Sequence, residues 1–141
     1  SNFAKKGFES KHNMNCWNQK EYLGFGAAAH SYFKSIRYSN IENIEEYIKN
    51  IKNNEFEKNK EIHEIQTIDE AKKEYMLLGL RKIEGVNITE FKNKFIDNPL
   101  YLFRKELSKL VEEELIEIDI NTIKLTNKGI DLANIVWEEF V

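Results

Sequence analysis

The sequence predicts an α+β chain: a short strand-bearing segment with one helix, then a winged-helix-like three-helix domain with a β-hairpin. Three patterns predict it. Ile41, Ile44, Ile48 and Ile51 recur at spacings of three and four, as on one face of a helix. Ile68, Ala71, Tyr75 and Leu78, joined by Met76, Leu77 and Leu80, make a wider apolar stripe of the kind packed between neighbours. Ile116, Ile118 and Ile120 alternate with Glu117, Asp119 and Asn121, the period of a strand with one wet face.

In chain order, Glu21 to Ala29 is a short apolar run that reads as a strand. Its Gly24 and Gly26 argue for close backbone approach or a bend, not for a helix. Ser31 to Tyr38 mixes aromatic, β-branched and basic residues and reads as a second strand. A helix over 42–53 follows, with Asn40 as its N-cap and Asn43 as second choice. Residues 53–66 are polar and mostly charged, so they read as a connector between a unit over 1–60 and another over 67–141. Thr67 and Glu70 form a capping box opening a helix to about Lys82, which Gly85 stops. A short helix over Ile88–Phe95 is capped by Asn87 or Thr89. Pro99 suits the first turn of the next helix, which runs to about Glu114 with Phe103, Leu107, Leu110 and Val111 on one face. After the hairpin, whose turn is Asn121-Thr122, Thr126 caps a closing helix.

With 32% charged and 41% apolar residues over 141 positions, the composition is that of a soluble globular chain. No apolar run approaches the roughly 18 residues of a membrane span. No apolar stretch follows Lys5 and Lys6 as a signal peptide requires. A single cysteine, Cys16, excludes an internal disulfide and a thiolate cage, and it fits a reducing cytoplasm. The opening Ser-Asn-Phe, without Met, is consistent with excision from a longer polypeptide. Residues 1–66 are nearly neutral, whereas residues 67–141 carry eleven basic against fifteen acidic residues, a net of −4. The candidate recognition helix sets Arg104, Lys105 and Lys109 against Glu106, Glu112, Glu113 and Glu114. An acidic face repels phosphate, so the expectation is a docking module rather than a nucleic-acid binder.

Two segments are specific enough to carry a resemblance. His12-Asn13-Met14-Asn15-Cys16-Trp17 is followed by Gly24-Phe25-Gly26-Ala27-Ala28-Ala29-His30-Ser31. With Asn2-Phe3-Ala4, Glu74 to Arg81 and Leu125 to Gly129, they resemble the oxygen-independent coproporphyrinogen III oxidase-like radical SAM family, and its heme-chaperone branch more than the true oxidases. The resemblance implies that residues 1–60 end a radical SAM barrel and that the chain is a C-terminal fragment. A [4Fe-4S] cluster and S-adenosylmethionine would sit in the missing N-terminal barrel. That cluster needs a C-x3-C-x2-C loop, and this chain has one cysteine, so no catalytic residue is assigned to the fragment. The implied role is to bind heme or porphyrin and deliver heme to an acceptor protein. The runner-up is a part of the oxidase, which decarboxylates coproporphyrinogen III propionates to vinyl groups. A third reading is a domain that only stabilises the barrel and docks a partner.

The candidate cofactor-binding residues are His12, Cys16, Trp17, Gly24, Gly26 and His30, with His12 as ligand to heme iron. The chaperone branch has an H-N-x-x-Y-W motif at residues 12–17, and Cys16 stands where that motif has tyrosine. A neutral imidazole is a good axial ligand, a tryptophan can cover a porphyrin face, and a thiolate ligates iron if its pKa is lowered. The competing reading is that His12 orders a loop while Cys16 and Trp17 pack in a core. The glycine-alanine segment admits a flat ligand or, alternatively, packs tightly with His30 hydrogen-bonded to the barrel. Phe25, Tyr32, Phe33 and Tyr38 either stack on porphyrin or form core, and His63 reads as a lone solvent-exposed residue. Without the barrel, an exposed apolar edge in residues 1–60 would favour a dimer.

Overall fold

The computed structural model describes residues 3–141; Ser1 and Asn2, where the family resemblance begins, lie outside the described residues. The chain packs as two compact units, one of residues 3–19 with 68–141, the other of residues 20–67. Residues 3–19 therefore fold with the later unit, where the sequence placed them with the earlier one.

Their core element is a helix the sequence pattern did not reveal, α1 (Lys11–Trp17), whose N-cap Ser10 accepts from the Asn13 amide. Buried Gln19 is the reason it belongs there. Its Nε2 donates to the Ala71 carbonyl and to Glu74 Oε2, both at 3.0 Å, and its Oε1 accepts from Lys94 Nζ at 2.9 Å. Lys82 Nζ donates to Asn18 Oδ1 at 2.6 Å.

The same unit continues with α3 (Ile68–Gly79), β4 (Val86–Asn87), α4 (Ile88–Phe95), α5 (Pro99–Leu102), α6 (Arg104–Glu112), β5 (Ile116–Ile118), β6 (Thr122–Leu125), α7 (Asn127–Asp131) and α8 (Ala133–Glu138). Its strands pair antiparallel in the order β4-β6-β5. Fully buried Met76, Leu80, Phe91, Leu110, Ile123 and Phe140 anchor the core. Two helices that read as continuous are broken. Phe103, at φ −107° and ψ 34°, separates α5 from α6 while burying its ring edge-on to Phe91 and Phe140. Leu132 separates α7 from α8.

The other unit is a three-stranded antiparallel sheet, β1 (His30–Phe33), β2 (Ile36–Asn40) and β3 (Lys60–Ile65), in the order β1-β2-β3. Between β2 and β3 run α2 (Ile44–Lys52) and a 3-10 turn over Phe56–Asn59. The N-cap of α2 is Asn43, not Asn40. Asn40 is unavailable because its Nδ2 donates to the carbonyls of Gly24 and Gly26. Residues 60–65, read as connector, are a strand, and a bulge displaces its register opposite Arg37 and Tyr38. Residues 21–29 form no strand; their single ladder contact is the bridge between Tyr22 and Tyr32.

Candidate functional site

In α1 the His12-to-Trp17 motif is helical. Residues four apart share a face, and His12 Nε2 stands 3.8 Å from Cys16 Sγ. His12 is exposed and Cys16 half-buried. Trp17, five residues from His12, points roughly 140° away around a helix of 3.6 residues per turn. The structure thus brings His12 and Cys16 together and separates Trp17 from them.

Just beyond the motif, Gln19 holds the helix end against α3 through Ala71 and Glu74 and against α4 through Lys94, while Lys82 bonds the neighbouring Asn18. Lys94 Nζ lies over the rings of Tyr75 and Phe95, at 5.0 and 5.4 Å. Burial lowers the pKa of Lys94, partly offset by Glu74. It lowers that of Lys82 as well, against the pull of Glu90 and Glu84.

Gly24, Gly26 and His30 belong to the sheet unit. Gly24 is required by close approach: a Cβ there would lie 2.3 Å from the His30 carbonyl oxygen. Its amide donates to Ser31 Oγ at 2.9 Å. Gly26 has φ +102° with open space where a Cβ would point, and its amide donates to the Tyr47 hydroxyl at 3.2 Å. The segment is closed on its own backbone around Gly24 and open at Gly26, where Phe25 projects with 86% of its surface exposed. Of the aromatic residues proposed to stack on porphyrin, Tyr32 is core and donates to Gln66 Oε1, while Lys60 lies over Tyr38.

The residue missed by sequence reasoning is His63. Its ring stacks with that of His30, centroids 5.7 Å apart at 28°, and its Nε2 is 2.8 Å from Ser39 Oγ. The β3 bulge puts it there. Ile62 and Ile65 oppose Tyr38 and Ile36, so residues two apart on β2 face residues three apart on β3. The extra residue is His63. A strand with that insertion shows no period-two pattern, which is why 60–65 reads as a connector.

Residues 67–132 match the model of the HemN C-terminal domain. Over all 141 residues the chain is 36% identical to a protein named heme chaperone HemW from Lactococcus lactis and 38% identical to one of the same name from Bacillus subtilis. On these matches the chain is HemN-like, and along its whole length it is similar to proteins named heme chaperones. It spans 36% and 37% of those two relatives' lengths. The solved structure of HemN from Escherichia coli, titled as the coproporphyrinogen III oxidase and a radical SAM enzyme, has the same fold over 86% of this chain and 28% of its own, with a TM-score of 0.64 at 18% identity. The HemN-like chain is therefore a mixed helix and strand structure with small antiparallel sheets, and its whole-length similarity is to proteins named heme chaperones. Among the described residues, no helix is long and apolar enough to cross a membrane.

Proposed function

We propose that the chain is the C-terminal part of a heme-trafficking radical SAM protein, which holds heme and passes it to an acceptor protein. The observation that carries the reading is the exposed His12 imidazole on α1 with Cys16 Sγ 3.8 Å away, in a chain similar along its whole length to named heme chaperones. The donors fit heme iron, which takes neutral imidazole or thiolate as axial ligand. Both emerge from one helix face, so they cannot sit on opposite sides of one porphyrin. One of them ligates at a time, and the other iron face stays open to an acceptor's ligand. His12 is the assigned ligand and Cys16 its alternative.

The [4Fe-4S] cluster and S-adenosylmethionine belong to the barrel outside this chain, since the chain's one cysteine cannot supply three ligands. Residues 20–67 pack on that barrel through the sheet face that bears Phe33, Ile36, Ile62 and Ile65, of which Ile62 and Ile65 are largely exposed. The same face would pair two isolated chains. Residues 67–141 we read as a winged-helix-like docking module. Support comes from a helix–strand–helix–helix–helix–hairpin order and the β4-β6-β5 sheet. Lys109, Lys124 and Lys128 pair with Glu139, Glu117 and Glu114, and residues 67–141 carry a net charge of −4, so the module is assigned a protein partner, not nucleic acid. The compartment we assign is a reducing cytoplasm, with which the chain's single cysteine is consistent.

A hemin titration of the chain, followed by absorption, tests the reading beside His12→Ala and Cys16→Ser. A saturable Soret shift lost in His12→Ala supports it, and loss in Cys16→Ser transfers the ligand role to the thiolate. Weak, non-saturating binding that is the same in all three proteins overturns it.

A further inference from the structure

We propose that His30 and His63 bind a divalent transition-metal ion of the zinc, nickel or copper class on one face of the β1-β2-β3 sheet, with positions left open to a further donor. Register puts His30 opposite Ser39 on that face, and the bulge delivers His63 to it from two strands away. Bulges re-aim side chains and recur beside functional sites. Here the bulge is the only reason that the two imidazoles meet. Their ring centroids are 5.7 Å apart. Two imidazoles sharing one ion at roughly 2.0–2.1 Å per nitrogen hold their ring centres about 5–6 Å apart.

The surroundings of His63 are those of a ligand histidine. A ligating imidazole ordinarily donates its other N–H to a fixed acceptor, which sets the tautomer and the ring direction. Ser39 Oγ, on a buried residue, stands 2.8 Å from His63 Nε2. With Nε2–H donating to it, Nδ1 is the nitrogen left to ligate. His30 and His63 are both exposed, so an ion reaches them from solvent. No third histidine, cysteine or carboxylate completes a set with them among the described residues. The remaining positions therefore go to water or to an oxygen or nitrogen donor brought by a bound molecule. The site uses neither His12 nor Cys16, so ion uptake is read out without heme and apart from the iron ligands.

The sequence has three histidines and one cysteine. In the untagged chain carrying His12→Ala and Cys16→Ser, His30 and His63 are then the only imidazole or thiol donors. Calorimetric titration with Zn2+ and with Ni2+ should show one saturable ion per chain. Zn2+ should shift the imidazole NMR resonances of both rings together. His30→Ala or His63→Ala should each abolish saturable binding with the circular dichroism unchanged. Ser39→Ala should weaken it about tenfold. Absence of saturable uptake, uptake that survives either histidine substitution, or one ion per two chains would each overturn the proposal.

Discussion

Gln19→Ala tests the placement of α1 most directly. Gln19 is 7% exposed and sits at φ +48°. Its amide joins one neutral and two charged partners: the Ala71 carbonyl, Glu74 and Lys94. Net hydrogen-bond contributions run to about 0.5–1.5 kcal/mol for neutral pairs and about 1.5–3 kcal/mol with a charged partner. Lys94 and Glu74 both border solvent and recover some hydration, so the low end of each range applies, and truncation should cost about 3.5 kcal/mol. Alanine shares the left-handed backbone penalty of glutamine, so this cost isolates the side chain. Gln19→Gly loses the same bonds but relieves the backbone, and should be about 1 kcal/mol more stable than Gln19→Ala. Trp17 and Trp137 both lie in this unit, so urea unfolding followed by tryptophan fluorescence reads it out. The midpoint should fall with the slope unchanged. A cost for Gln19→Ala below about 0.5 kcal/mol would refute the anchoring. Equal stabilities of the glycine and alanine variants would refute the strain at residue 19.

Other outcomes follow from the same geometry. Gly24→Ala drives a Cβ against the His30 carbonyl oxygen, whose strand is pinned by pairing to β2. It should destabilise the 20–67 unit by about 2–3 kcal/mol, the cost of overpacking without relief. Amide hydrogen exchange across β1 and β2 measures it, and unchanged protection would contradict the closed loop. The lysines give a pH signature. Burial holds Lys94 and Lys82 below the ordinary lysine value of 10.5. Between the depressed folded values and 10.5 the unfolded chain binds more protons, so their contribution to stability rises with pH. The stability of wild type relative to Lys94→Met should therefore grow as pH climbs toward 10.5, and a flat or falling difference would contradict the burial of Lys94.

Elements with one unambiguous local signal were legible in the sequence. The helix over Ile88–Phe95 appears where its pattern places it, with Asn87 of the two candidate caps, and the hairpin forms with β5 ending at Ile118 and Thr122 opening β6 rather than making the turn. The losses have specific causes. Helix α1 is built from Lys-His-Asn-Met-Asn-Cys-Trp, whose asparagines favour caps and turns over helix interiors. It is held by its Ser10 cap and by Gln19, 52 residues from its partner Ala71. Strand β3 hid behind its bulge. Asn40 was the better-looking cap, but its amide serves two glycine carbonyls instead. His12 and Cys16 were named from their motif, while the face they share needed the helix. The pairing of His30 with His63 had no trace in spacing, because it arises from register between strands thirty residues apart.

Side chains that hold the fold and side chains that carry donor chemistry are largely different sets. Met76, Phe91 and Phe140 are buried in the 3–19 and 68–141 unit, whereas His12 is exposed on the seven-residue α1, which buries none of its residues. In the other unit Tyr32, Ser31 and Asn59 are buried, and His30 and His63 face solvent. Removing an exposed imidazole costs little packing, since surface substitutions usually stay within about 0.5 kcal/mol. A His12, His30 or His63 variant that loses a ligand while keeping its unfolding midpoint therefore reports ligation. Gln19 and Gly24 invert this relation. Neither supplies a donor side chain for ligation, yet each fixes the segment that presents one: Gln19 the end of α1, Gly24 the carbonyl of His30 itself. Binding lost in those two variants should fall together with stability, and that coupling separates positioning from ligation in both units.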